Sequence, residues 1–250
     1  MDERLMKTML EVDERHWWYR GRRRIVRSEL DRLPVSGGGR VLDAGCGSGR
    51  MLQELEGYGG VSGIELDPGA AEVSRARRHG EVRVGRLEQL PWEGDTFELI
   101  TCLDVIEHTP EDRVTLTELR RVCQPGGWLL VTVPAYQGLW SSHDEANHHY
   151  RRYSRRSLRA AADDAGWRLQ RITSFNSLLL APAAAVRLAR RRRANDDGGA
   201  PGFDLRLGPA WLGALLECPL RIEAIWLARG GTLPVGLSLM AVLQNPVGGS

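Results

Sequence analysis

Val41 to Gly49 reads V-L-D-A-G-C-G-S-G. An apolar strand stops at Asp43, and the chain then passes through Gly45, Gly47 and Gly49 before an amphipathic run begins at Arg50. Glycine is used where a side chain would block close approach or where φ must be positive, so three alternate glycines let a ligand lie directly on the backbone. The spacing also constrains the ligand. A dinucleotide loop follows G-x-G-x-x-G, whereas here the third glycine comes one residue early and Arg50 stands where that pattern needs glycine. Asp43, at the end of the strand, would repel a pyrophosphate and suits a cationic, phosphate-free cofactor.

Strands and helices alternate outward from this turn. His16 to Leu33 is predicted as a helix, with Trp18, Ile25, Val26 and Leu33 on one face, and Pro34 with Ser36 to Gly39 breaks it. The first strand is Arg40 to Asp43, and the second is Gly60 to Leu66. Asp67-Pro68 opens a helix expected to reach about His79, with Asp67 as N-cap. Val82 to Val84 and Phe97 to Leu103 follow as the third and fourth strands. Thr109-Pro110 opens a helix whose buried face is Leu116, Leu119, Val122 and Cys123, and Gln124 to Gly127 stops it. Trp128 to Val133, Trp167 to Phe175 and Leu237 to Leu243 complete the strands. The expected fold is α/β: a Rossmann-like, seven-stranded, mostly parallel sheet with helices on both faces.

The glycine turn and the elements after it resemble the class I S-adenosylmethionine-dependent methyltransferases over roughly residues 40 to 175. The resemblance implies that Asp43, Gly45, Cys46, Gly47 and Gly49 form the cofactor loop. Glu65 ends the second strand, where a carboxylate can accept both ribose hydroxyls, and Leu66 lies beside it. Arg86 stands where relatives carry an acid for the adenine amino group, so Leu87 and Glu88 become the candidates there. Leu103 and Asp104 correspond to the backbone that faces the methionine portion. Relatives also use an N-terminal helix as a lid, which brings Trp17 and Tyr19 toward the site and leaves Trp18 to the core. Neither N/D-P-P-Y nor a Pro-Cys nucleophile follows the fourth strand, which argues against DNA as substrate.

Ligands of open parallel sheets bind beyond the carboxyl ends of the strands, so acceptor chemistry is expected after the fifth strand. That segment carries three histidines, an aspartate, two arginines and two tyrosines within residues 143 to 153. His143, oriented by Asp144, is the first candidate for a general base, and His149 is its rival. Tyr136, Arg151, Arg152 and Tyr153 are candidate substrate contacts, the guanidinium being suited to an anion. His143, Asp144, His148 and His149 match no tight zinc spacing, and no metal is expected.

Residues 1 to 39 form the expected lid, 40 to 175 the cofactor core, 176 to 236 a helical insertion, and 237 to 250 the last strand and tail of one domain. Within the insertion, an apolar run from Leu178 ends in Arg190 to Arg193, which fits either an interfacial helix on an anionic membrane or a cover for the sheet or a dimer contact. A second helical run spans about Pro209 to Arg229. Cys46, Cys102, Cys123 and Cys218 form no C-x-x-C pair, and no apolar run is long enough to span a bilayer. The expectation is a cytoplasmic protein with reduced thiols, touching at most the inner membrane face. The expected activity is O-methylation of a small molecule, sugar, or glycan- or lipid-linked acceptor. RNA methylation, suggested by arginine clusters, and a catalytically dead cofactor-binding scaffold are the alternatives.

Overall fold

The computed structural model describes residues 13–180 and 210–247, with Ser142, His143 and Ala210 described by backbone alone. Seven strands form one sheet: β1 (Arg40–Ala44), β2 (Gly60–Glu65), β3 (Glu81–Val84), β4 (Phe97–Leu103), β5 (Cys123–Pro134), β6 (Arg168–Phe175) and β7 (Ser238–Gln244). Their spatial order is β3-β2-β1-β4-β5-β7-β6. All neighbours pair in parallel except β7, which runs antiparallel between β5 and β6. The order reverses between β1 and β4, and the crevice above that reversal is where an open sheet of this kind binds its ligand.

The sheet's two faces carry different helices. On one face α4 (Asp112–Val122) and α6 (Arg155–Asp164) cover a core that includes Leu42, Ile100, Leu116, Leu119, Val131 and Trp167. On the other, α1 (Trp17–Leu30) and α7 (Ala210–Ala228) bury Ile25, Leu30, Leu99, Leu130, Leu220 and Leu227. The short helices α2 (Arg50–Leu55) and α3 (Pro68–Ala76) flank the glycine turn. Asp67 caps α3 as the sequence predicts, its carboxylate accepting the Ala70 N–H at 2.7 Å. Helices α1 and α7 meet so closely that a methyl added at Gly21 would stand 2.2 Å from the Leu220 side chain. The described part of the insertion, 176–180 with 210–236, therefore covers the sheet through α1. Residues 181–193 of the sequence-predicted arginine-tipped helix lie outside the described residues.

Two sequence expectations change. Cys123 does not close the buried face of α4 but begins β5, and Gln124 to Gly127 are absorbed into that strand rather than ending an element. A register shift between Phe97 and Leu99 of β4 takes up the extra residues, and Gly126 supplies the left-handed φ of +82° that the irregularity needs. Likewise it is Trp17, not Trp18, that packs against the core under α7, with its Cβ 3.9 Å from the position of a methyl on Gly213. The reason is external to α1, because the buried stripe is set by α7, which enters from the far end of the chain.

Candidate active site

The glycine turn is built by backbone geometry. Gly45, Gly47 and Gly49 have φ of +81°, +52° and +79°. A methyl at Gly45 would stand 2.5 Å from Val105 and one at Gly49 2.2 Å from Ser74, so packing as well as φ excludes side chains there. At Gly47 it would meet nothing within 4 Å. The turn is thus closed beneath and open above, as a ligand lying along it requires. Glu65, leaving β2, accepts the Gly47 N–H at 2.9 Å and the Asp67 N–H at 3.0 Å. Its carboxylate stands beside the open side of the turn, and Leu66 next to it is exposed.

Asp43 is buried under the turn and accepts the Thr101 hydroxyl at 2.6 Å. Burial pushes its carboxyl up to about 6, against the pull of Thr101 and Arg22. Cys46 is buried, and burial pushes its thiol up to about 12, so it is a packing residue rather than a nucleophile. Leu87 is buried, while Arg86 pairs with Glu88 at 3.6 Å. Glu88 lines a surface hollow with Arg113, Thr117 and Glu118 of α4.

The N-terminal segment lies over this end of the sheet. Asp13 accepts the Ser48 hydroxyl of the glycine turn and pairs with Arg23 at 3.3 Å. Arg22 of α1 reaches Asp104 at 2.8 Å and the Thr132 hydroxyl at 3.0 Å. Asp104 follows Leu103 at the end of β4 with a positive φ, in the left-handed region that aspartate tolerates better than most residues. Tyr19 belongs to the same corner: burial first, and then Asp13, raise its hydroxyl above the ordinary value. Sequence reasoning does not mark Asp13, Arg22 or Thr101, since each acts on a partner far away along the chain.

Beyond Asp104 a second wall of the crevice begins. Residues 106 to 108 form a single 3-10 turn that buries Glu107 and leaves His108 exposed at the rim. Glu107 is fully buried with neither carboxylate oxygen bonded, and burial together with Asp104 holds it well above the usual carboxylate range. The His108 ring meets that of His149 edge-on, with centroids 4.5 Å apart, and burial followed by His149 lowers the His108 value. Glu107, His108 and His149 offer ligand atoms that all lie within 4.8 Å of one another. The set differs from the histidine-rich one of the 143–149 segment, and its chemistry suits either a substrate hydroxyl or a divalent cation. Glu107 and His108 stand side by side just past the carboxyl end of β4, and that adjacency is the signal the sequence offers.

The opposite side of the wall is the segment 141–153. The sequence predicts no regular buried element there, yet α5 (Ser142–Ala146) forms and Asp144 is fully buried. Arg152 grips the Asp144 carboxylate with two hydrogen bonds, 2.7 and 2.9 Å, and the Ser141 N–H adds a third at 2.8 Å. Burial alone would raise Asp144, but Arg152, the Ser141 amide and His149 together hold it at about 2. His149 Nδ1 lies 3.0 Å from Asp144 Oδ1. An ionised carboxylate can only accept, so Nδ1 carries the hydrogen and Nε2 the basic lone pair.

Other sequence candidates in this segment serve the framework. Arg152, read as an anion clamp, is 9% exposed and committed to Asp144 and the Ala135 carbonyl. Tyr153, read as a substrate contact, is buried through a parallel bridge to Ala135, and its hydroxyl donates to Asp112 at 2.7 Å. Arg151 pairs with the same Asp112 at 3.1 Å. Tyr136 holds a strained φ of +60° at the end of β5, with its ring against the core. The His143 side chain lies outside the described residues.

With this geometry in place, the chain matches the family model described as a methyltransferase domain over residues 17–172. It is 31% identical over 105 residues to the ubiquinone biosynthesis O-methyltransferase of Thiobacillus denitrificans, covering 39% of this chain and 45% of that one. The chain spans less than half the length of the first such relatives it matches. Among solved structures it resembles the putative methyltransferase of Haloferax volcanii in complex with the Trm112 methyltransferase activator, with 22% identity, 96% and 94% of the two chains covered and a TM-score of 0.61. It also resembles phosphoethanolamine N-methyltransferase 2 of Haemonchus contortus in complex with S-adenosyl-L-methionine, at 17% identity, 88% and 52% coverage and a TM-score of 0.58. At these identities the structural likeness speaks for the fold.

Proposed function

We propose, because the chain belongs to the class I S-adenosylmethionine-dependent methyltransferases, that it transfers the methyl group of this cofactor to an oxygen of a small molecule, with His149 as general base. The observation that carries the reading is the His149–Asp144 pair standing across from Glu107 and His108, just beyond the strand end that follows Leu103.

S-adenosylmethionine, when bound, supplies a methyl carbon already activated by its sulfonium. The open side of Gly47 and the Glu65 carboxylate fit its sugar, and the buried Asp43 suits its positive charge. Direct in-line attack requires the acceptor oxygen about 3 Å from the methyl carbon with water kept out. Held by the glycine turn and Glu65, the cofactor would supply the methyl group to the acceptor oxygen and be left as a neutral thioether, and His149 Nε2 would take the hydroxyl proton. Asp144 stabilises the imidazolium that results, and Arg152 keeps Asp144 ionised so that it can do so. The lid residues Asp13, Tyr19 and Arg22 close the cofactor side.

The relatives named ubiquinone biosynthesis O-methyltransferase support a hydroxyl acceptor, and the four unpaired cysteines support work in the cytoplasm. The assembled His149–Asp144 pair counts against an inert scaffold. The test is transfer of a radiolabelled methyl group from S-adenosylmethionine to a panel of phenols, sugars and primary amines. Ether products from hydroxyl acceptors are expected. Methylated amines alone, or no product from any acceptor although the cofactor binds, would overturn the assignment.

A further inference from the structure

Helix α7 contains two acidic residues, and both face inward. Glu217 is 1% exposed and is met by three guanidiniums, Arg20 at 2.8 Å, Arg24 at 3.0 Å and Arg221 at 3.2 Å. Glu223 is also buried and accepts the Leu178 N–H at 2.8 Å. Leu220, Ala224 and Leu227 pack the same side against α1 and the sheet. The outward side is apolar. Trp211, Leu215, Ile222, Ile225 and Trp226 are each more than half exposed, and Cys218 is exposed between them. Positions 211, 215, 218, 222 and 225 advance by four and three in turn, so they form one stripe along the helix. An exposed stripe of this length on a helix already docked by its other side is not explained by the fold.

We propose that this stripe is a docking surface for an anionic lipid bilayer, with α7 lying in the plane of the membrane surface. Charge selects the occupant. The exposed charges on α7 and the residue just beyond it are Arg221 and Arg229, and α1 adds the half-exposed Arg20 and Arg24 alongside. Three arginines on one glutamate leave an excess of two positive charges where the stripe is centred. A second copy of the chain would bring arginine against arginine with no exposed acid on α7 to pair, whereas anionic headgroups pair with all of them. The helix is about 28 Å long at about 1.5 Å per residue, and the tryptophans stand near its two ends, which suits rings that favour the headgroup level. No helix among the described residues is long and apolar enough to cross a membrane, so the contact is peripheral.

The consequence for the reaction rests on the methyl-transfer reading. Helix α7 packs on α1, and α1 carries Tyr19 and Arg22 to the cofactor side, so a bilayer under α7 would present a membrane-dissolved acceptor close to the lid.

The experiment uses the whole chain with vesicles of phosphatidylcholine, either alone or with about one third phosphatidylglycerol, sedimented at low and high salt. The protein should sediment with the anionic vesicles, shift its tryptophan emission to the blue, and be released by salt. Leu215→Glu with Ile222→Glu should weaken partitioning at least about tenfold, and Arg221→Gln with Arg229→Gln should remove most of the preference for phosphatidylglycerol. All four residues are exposed, and Glu217 keeps Arg20 and Arg24 when Arg221 is replaced, so the melting temperature should change little and S-adenosylmethionine affinity should stay as in the wild type. A wild-type protein left in the supernatant with anionic vesicles, or glutamate variants that sediment like the wild type, would overturn the proposal. So would a concentration-dependent dimer in the ultracentrifuge that the same variants dissociate, which would assign the stripe to a second copy. Loss of cofactor binding in the wild type would instead overturn the methyl-transfer reading and leave the membrane result intact.

Discussion

The two sides of the crevice are made by different means. On the cofactor side the backbone makes the shape: three glycines with positive φ and one carboxylate, Glu65, form the seat within residues 43 to 67. On the acceptor side the shape comes from side chains, because Asp144 is held by Arg152 and in turn holds His149, while Glu107 and His108 enter from another strand end. A seat made of backbone tolerates many neighbours, whereas a wall made of buried charges fails when one member is removed. On the proposed reading, acceptor specificity is therefore expected from the 141–153 segment rather than from the glycine turn.

Breaking the wall should give the largest effect. Asp144→Ala strands the buried Arg152 guanidinium without its partner, a change that costs about 3 to 5 kcal/mol. Chemical denaturation should show a loss of that size, and a loss below about 1 kcal/mol would mean that the pair is not structural. The cofactor side should respond in affinity. On the proposed reading Glu65→Ala removes a charged acceptor of ribose hydroxyls, worth about 1.5 to 3 kcal/mol per bond, so calorimetry on the folded variant should report S-adenosylmethionine binding weakened at least about tenfold. Unchanged affinity would place the sugar elsewhere.

The smallest effect sharpens the contrast through pH. A bound cation favours ionised Asp43, whose carboxyl stands at about 6 in the free protein. Binding below that value must release a proton, so affinity should fall by up to about tenfold per pH unit below about 6 and stay flat above it. Asp43→Asn should flatten the profile. A wild-type profile that is flat across the same range would show that Asp43 does not sense the cofactor's charge.

How far the sequence could be read follows the same division. The glycine turn, the Asp67 cap, the span of β4 and the positions of β6 and β7 are legible because each depends on residues close together in the chain. The insertion helix is legible from about 209 to 229, but not its partner, since the match of Gly21 to Leu220 is visible only once both helices are docked. In the acceptor segment the sequence shows the right residue types and hides their roles. Arg152 and Tyr153 look like surface chemistry because burial of a charged or phenolic group depends on partners such as Asp144 and Asp112, which no local pattern reveals. Glu107 and His108 are passed over because they fall between the expected strand end at Leu103 and the helix start at Thr109, where a single 3-10 turn buries Glu107 and sets the exposed His108 ring against His149.

The central claim is that the two sides do separate jobs, one holding the cofactor and the other taking a proton from the acceptor. His149→Asn tests it most directly, since asparagine keeps a polar partner for Asp144 but supplies no base. The measurement pairs calorimetric affinity for S-adenosylhomocysteine with single-turnover methyl transfer to a hydroxyl acceptor. Affinity within about twofold of the wild type and transfer slowed at least about 100-fold is the predicted result. Transfer slowed no more than a few-fold, or cofactor affinity lost together with activity, would contradict it.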